Sequence, residues 1–391
     1  MEEIKLRYGT NPHQKNARIF VPDGKLPLKV LNGQPSYINI LDALYGWQLV
    51  CELKAATSLP AAASFKHTSP AGAAVAGPLS DVFRQSQFLP EDEELSPVAT
   101  AYARARGGDR MCSYGDAAAI SDGVDVSLAK LLGREVCLSI VAPAYEPQAL
   151  EILKRKLNGG MLVLQIDPSY EPPQMERRQL FGVHIEQARN DARIDRSLLQ
   201  NIVTKRKTIP DDAALTLIVA TIALKYTQSN SMGVAYDGQI IGMGAGQQSR
   251  VHCTRLACDK ADKWFLQQHP RVVDLPFKDG LKRPEKANVV DQYLLWDQLS
   301  DPERTAMLSG LTATPEPISK EERIAWVRRF NGVCLSSDGY IPFRDNIDRA
   351  ARSHVQYVIQ PGGSIRDEGV TQAADEYGMV MVESGLRLFL H

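Results

Sequence analysis

Short apolar runs of strand-like composition alternate along this chain with stretches of helical periodicity, and that alternation limits the fold more than any other feature. Residues 60–65 (PAAASF) read as a short buried strand that ends at Lys66. Residues 98–106 (VATAYARAR) then read as a helix, 115–123 (GDAAAISDG) as a strand between turn signals, and 126–133 (VSLAKLLG) as a helix. Residues 137–145 (CLSIVAPAY) and 161–167 (MLVLQID) read as two further strands. Upstream, Asn39 stands where it could cap a helix through residues 42–56. The second half repeats the theme. Residues 211–225 predict a helix, 233–246 a hairpin turning at Asp237-Gly238, and 249–269 a long helix with Ser249 at its N-cap. Short strands return at 333–337, 357–361 and 379–384, after a charged helical piece over 284–329. The expected class is α/β, with two halves and no fixed-period sequence repeat.

The 391 residues suggest two or three domains and suffice for a substantial core. A formal net charge of -1 leaves no basic footprint for nucleic acid or an anionic membrane. The longest near-apolar run, Leu215–Leu224, is far shorter than the roughly 20 residues that span a bilayer. The acidic first residues, MEEIKLRYGT, lack an apolar h-region, so a secretion signal is not expected. A soluble, cytoplasmic protein with small-molecule ligands is expected. Cys51, Cys112, Cys137, Cys253, Cys258 and Cys334 are scattered without a Cys-x-x-Cys pair, so neither a disulfide scaffold nor a zinc knuckle is expected. They read as six buried thiols.

Chemistry-bearing residues gather in a few places. Lys66 and His67 leave the end of an apolar strand, and a Pro/Gly turn is expected to follow them. A histidine can take a proton from an attacking amine, and a lysine of lowered basicity can protonate a leaving nitrogen or steady an oxyanion. Spacing alone favours a purely structural pair, since a lone Lys-His dipeptide is a weak motif. Arg7 and Tyr8 open a polar, turn-rich segment suited to phosphate. Residues 242–250 form a Gly-rich turn into a helix, neither a dinucleotide fingerprint nor a Walker loop. Residues 225–231 (KYTQSNS) form a polar loop after a buried helix, and the apolar tail around Arg387 predicts a docked C-terminus. The zinc-deaminase signature and His-Glu-x-x-His are both absent, so no catalytic metal is expected.

Eight segments, RYGTNPHQ, LNGQPSYINILDALYGWQLV, PAAASFKHTSPAGAAV, AYARARGGDRM, VATIALKYTQSNS, GAGQQSRVHCTRLA, PFRDNIDRA and LRLF, run in order through the chain. Together they resemble the transformylase portion of the bifunctional AICAR transformylase/IMP cyclohydrolase family. The resemblance implies two cytidine-deaminase-like α/β subdomains, over 1–200 and over 201–283 with 330–391, and a helical insert over 284–329. It implies formyl transfer from 10-formyltetrahydrofolate to the 5-amino group of AICAR, without the ring-closing half. A homodimer with active sites at its interface is implied, and a structural potassium ion near the 225–231 loop.

By the same resemblance, Lys66 and His67 fall on the catalytic pair, with Asn288 assisting. Arg7, Tyr8, Gly115, Asn230, Arg250 and Arg387 fall on nucleotide-binding positions. Val251, Tyr340, Asp345 and Ser364 fall near the folate. Leu138 departs from the family pattern, where an aspartate that contacts the acceptor is usual. Losing such an acceptor opposite a buried donor costs on the order of 1–3 kcal/mol. Three readings follow: an AICAR formyltransferase, a formyltransferase for a related amine, and a non-catalytic nucleotide- or folate-binding paralogue.

Overall fold

The computed structural model describes residues 2–22 and 24–391. β1 (Glu3–Lys5) and β2 (Arg18–Phe20) form a small separate ribbon. After β3 (Leu28–Asn32) comes the long helix α1 (Tyr37–Thr57). Its N-cap is Ser36, whose N–H and Oγ both reach Asn39 Oδ1, at 3.1 and 2.7 Å. Asn39 thus lies one turn inside, not at the cap. Its side chain folds back onto Ser36, which moves the helix start three residues upstream of the expected one.

The first half continues with β4 (Ala61–Lys66), β5 (Ser69–Val75), α2 (Asp81–Ser86), α3 (Pro97–Gly107), β6 (Asp116–Ile120), α4 (Val126–Arg134), β7 (Cys137–Ala142), α5 (Pro147–Arg155) and β8 (Leu162–Ile166). A hairpin of β9 (Met175–Leu180) and β10 (Val183–Ala188) stands apart with every residue exposed. The second half runs α6 (Asp211–Lys225), β11 (Met232–Tyr236), β12 (Gln239–Gly244) and α7 (Arg250–Leu266). A helical stretch of α8 (Pro270–Val273), α9 (Arg283–Leu294), α10 (Asp301–Leu308) and α11 (Lys320–Val327) follows. The half closes with β13 (Cys334–Ser337), α12 (Asp345–Arg352), β14 (Tyr357–Gln360), α13 (Asp367–Glu376) and β15 (Val380–Glu383).

Among the described residues, eleven strands make one mixed sheet in the order β15-β14-β13-β11-β12-β5-β4-β6-β7-β8-β3. The order mirrors about the β12–β5 seam. On each side an antiparallel hairpin meets an antiparallel neighbour and then two parallel strands, and β3 adds a further antiparallel edge strand beside β8. The α/β class expected from the alternation is therefore observed. α1 and α6 cover one face of this sheet. The helices α3, α4, α5, α7, α12 and α13 cover the other. Coverage on both faces explains why strands such as Ala61–Lys66 read as unbroken apolar runs rather than alternating ones. The segment α8 to α10 carries a small core of its own around Tyr293 and Met307. Cys51 and Cys112 are only half-buried, so four of the six thiols are buried as expected and two are not. Among the described residues no helix is long and apolar enough to cross a membrane.

Candidate functional site

The first hairpin turns before its Pro/Gly segment, not in it. Lys66 pairs with Ser69, so the turn is His67–Thr68, with φ of 53° and 62°. Both residues lie in the left-handed region, which a β-branched threonine adopts only under constraint. The expected Pro/Gly turn is instead strand: Pro70 sits beside a β-bulge, where its missing N–H breaks no ladder, and Gly72 packs against α3. A Cβ on Gly72 would lie 2.0 Å from Ala105 O, so only glycine allows that approach. The turn is held from below by Asp42 on α1, whose Oδ1 accepts the Thr68 N–H at 2.7 Å. Burial pushes the Asp42 carboxyl up to about 6, while the Thr68 N–H and nearby His67 pull it back down. His67 itself is exposed, and among the described residues its ring makes no hydrogen bond.

Lys66 Nζ donates to Tyr114 O at 2.5 Å, which joins the pair to the loop before β6. Gly115 follows with φ of 77°, its N–H bonded to Val136 O. Leu138 borders it: a Cβ on Gly115 would stand 3.6 Å from Leu138 Cδ1. Leu138 is the extra residue of a bulge between β6 and β7, and bulges redirect side chains. It is 46% exposed, and Tyr114 and Met111 in the loop before Gly115 are exposed as well. Beneath this loop lies a buried charge network. Asp116 accepts from Ser64 Oγ (2.7 Å), Tyr102 OH (3.1 Å) and Arg106 Nη1 (2.7 Å). Glu135 then bridges Arg106 and Arg283. Removing one member of such a network typically costs about 3–5 kcal/mol.

Across the seam the second half supplies its loops. The Gln228 N–H donates to Ser69 Oγ at 3.3 Å, so the 228–231 loop lies against the Lys66–His67 hairpin. Arg250 is buried. It donates to Asn230 Oδ1 (2.7 Å), to Ser231 O (2.9 Å) and to the Asp338 carboxylate. Asp338 is fully buried and also accepts from Ser229 Oγ (2.6 Å) and the Ser231 N–H (3.0 Å). The tail is stapled here: Leu388 N–H donates to Asp338 O, Ser229 N–H to Leu390 O, and Leu390 N–H to Ser229 Oγ. This docks the C-terminus and leaves Arg387 exposed over the Phe389 ring at 4.6 Å.

The matching family decides what this arrangement belongs to. The profile of the AICARFT/IMPCHase bienzyme family matches residues 1–260. The chain belongs to the AICARFT/IMPCHase bienzyme family. Similar curated proteins are each called bifunctional purine biosynthesis protein PurH. The one from Magnetococcus marinus is 31% identical over 394 residues, that from Cereibacter sphaeroides 30% over 393, and that from Nostoc sp. 28% over 390. Each alignment covers 99% of this chain but 59% of the relative, so the chain spans about three-fifths of their length.

Of the residues expected to act in this family, Lys66 is joined to the Gly115 loop through Tyr114 O, and the Lys66–His67 hairpin meets the loop of Asn230 and Arg250, against which the tail carrying Arg387 docks. Val251 follows Arg250 on α7. Tyr340 follows Gly339, where a Cβ would meet Arg250 Nη2 at 2.6 Å and Phe389 at 2.8 Å. Asp345 and Ser364 lie further out: Asn346, beside Asp345, binds Thr254 of α7 at 2.6 Å, and the Ser364 N–H donates to Asp367. Arg7 donates to the Tyr8 hydroxyl at 3.0 Å, and its backbone rests on Pro35 before α1. Asn288 is exposed on α9, and among the described residues no hydrogen bond joins it to Lys66. Sequence reasoning passed over Asp42, Asp338 and the Asp116–Arg106 network. Acids inside helices or turns look like ordinary surface charge until their burial is known.

Proposed function

We propose that this chain is a phosphoribosylaminoimidazolecarboxamide formyltransferase, which moves the formyl group of 10-formyltetrahydrofolate onto the 5-amino group of AICAR. The observation that carries the reading is the Lys66–His67 pair, presented on a constrained turn against the Asn230–Arg250 loops of the other half. The family match and the PurH relatives support it. The amine nitrogen attacks the formyl carbon as His67 takes its proton. Lys66 steadies the oxyanion and protonates folate N10 as the carbon–N10 bond breaks. Formylated AICAR and tetrahydrofolate leave, and no covalent enzyme intermediate is needed. Arg7 and Arg387 hold the phosphate, with Tyr8, Gly115, Asn230 and Arg250 shaping the nucleotide site. Val251, Tyr340, Asp345 and Ser364 border the folate. Asn288 assists at the oxyanion, and a homodimer with interface sites is part of the proposal.

The implied potassium ion has fitting donors. Ser231 Oγ is buried with no hydrogen-bond partner among the described residues, and the Ser231 N–H and Ser229 Oγ both donate to Asp338 close by. These oxygens would hold the ion and so brace the loop and tail. No step of the transfer passes through it.

Leu138 favours a second reading, a related amine as acceptor, because an exposed leucine stands where an acceptor-binding carboxylate is usual. One assay tests both: the chain is mixed with 10-formyltetrahydrofolate and AICAR, and formylated product is measured. Product at saturable AICAR supports the first reading. Donor turnover only with another imidazole amine supports the second, and no transfer to any amine contradicts both.

A further inference from the structure

We infer that Asp42 is a positioning residue for His67: its buried carboxylate holds the His67–Thr68 turn and stands near the imidazole that takes up the proton. The inference rests on the formyl-transfer reading and adds a residue outside the catalytic pair. Asp42 is 6% exposed, and among the described residues no cation pairs with it. A buried carboxylate without a counter-charge is costly. Packing of the turn does not require it, as the other half of the molecule demonstrates.

There, the turn is Asp237–Gly238, and the Gly238 N–H donates to Thr216 Oγ1 at 2.9 Å. Asp42 and Thr216 are each the sixth residue of their helix, α1 and α6. Each accepts the amide of the second turn residue. An uncharged hydroxyl is therefore enough to secure such a turn. The charge at Asp42 answers to something the second turn lacks, and His67 is that difference. Once His67 has taken the amine proton, a nearby anion stabilises the imidazolium. The same carboxylate fixes Thr68 and hence the direction in which His67 leaves the turn.

The other charged or titratable groups around Asp42 are engaged elsewhere. On α1 the nearest acid is Glu52, ten residues or about 15 Å along the helix, and it pairs with Lys225 of α6. Tyr37 and Tyr45 share α1 with Asp42. Lys66 on β4 points to Tyr114 O, and Asp116 on β6 and Cys137 on β7 belong to the Arg106 network. Burial raises the Asp42 carboxyl to about 6, so its charge changes within an accessible pH range.

Asp42→Asn keeps the volume and an acceptor oxygen but removes the charge. The expected result is a kcat lower by roughly tenfold or more, the effect of about one pKa unit of lost interaction, with KM for both substrates within about threefold. The acid limb of the kcat–pH profile should move, and Tm at pH 8 should not fall. Thr216→Val, the matching change at the second turn, should leave kcat and its pH profile as they are. An Asp42→Asn protein with unaltered kcat and pH profile would overturn the inference. So would one whose Tm and KM deteriorate together with kcat, as a merely structural role requires. The His67 ring proton, followed by NMR through a pH titration, gives a readout that needs no turnover. A curve displaced between the two proteins supports the link, and superimposable curves reject it. Absence of product from the unsubstituted chain would instead defeat the formyl-transfer reading, which the NMR titration does not touch.

Discussion

The molecule builds the same hairpin twice and uses the two copies differently. β4–β5 and β11–β12 share a two-residue turn, a bulge at the same distance from it, and a glycine pressed on a helix, α3 in one case and α7 in the other. A Cβ would meet Ala105 O at 2.0 Å from Gly72 and Ala257 O at 2.1 Å from Gly242. The turns themselves diverge. Asp237–Gly238 is the residue pair such a turn prefers, and Asp237 is tied down by Arg104 at 2.9 Å. His67–Thr68 is an unfavourable pair in the same geometry, its histidine exposed and unbonded, above a buried acid. One turn is optimised for folding, and the other keeps strain and an uncompensated charge where chemistry is proposed.

Substitutions at equivalent positions test this asymmetry. The largest effect is expected at Lys66→Arg. Because Arg does not release a proton usefully, turnover should fall by about a hundredfold or more. Tyr236→Phe, its counterpart, should leave turnover unchanged; equal losses in a steady-state assay would erase the distinction.

Next in size is the pH dependence of stability. The Asp42 carboxyl is raised from 3.8 to about 6. A raised acid favours the fold in its neutral form, so its contribution is complete below about 3.8 and is lost as pH rises through about 6. Two units correspond to about 3 kcal/mol. Denaturant titrations at pH 4.5 and 8 should show Asp42→Asn losing part of this slope, whereas Thr216→Val keeps it. Identical slopes in wild type and Asp42→Asn would contradict the burial argument.

Leu138→Asp restores the acceptor usual in the family. KM for AICAR should drop by about 10- to 100-fold, the value of one hydrogen bond to a buried donor; an unchanged KM would mean that position 138 does not meet the acceptor. The smallest effect belongs to Gly238→Ala. With φ of 68° the new side chain is strained, and stability should fall by about 1–2 kcal/mol with turnover intact. A loss of turnover without a loss of Tm would place function at the wrong turn.

Much of this architecture was legible in the sequence. Alternating apolar and helical segments gave the α/β class, and Asp237-Gly238 gave the second hairpin because its residues match its turn. The first turn was misplaced for the opposite reason: Pro70 and Gly72 carry turn composition but serve a bulge and a helix contact. The exposed β9–β10 hairpin escaped notice because its charged residues lack a buried face. At the site, Lys66 and His67 stood out by type. Asp42 and Asp338 did not, since what sets them apart is burial and their partners, which only the tertiary structure supplies.

Of all the side chains at the site, His67 carries the proposed chemistry most directly. Turnover and AICAR binding should be measured together for His67→Ala and Asp237→Ala, the same change at the two equivalent turns. His67→Ala should bind AICAR and lose about 10²- to 10⁴-fold in turnover, the usual worth of a general base, while Asp237→Ala turns over like the parent. Full turnover in His67→Ala would contradict the account.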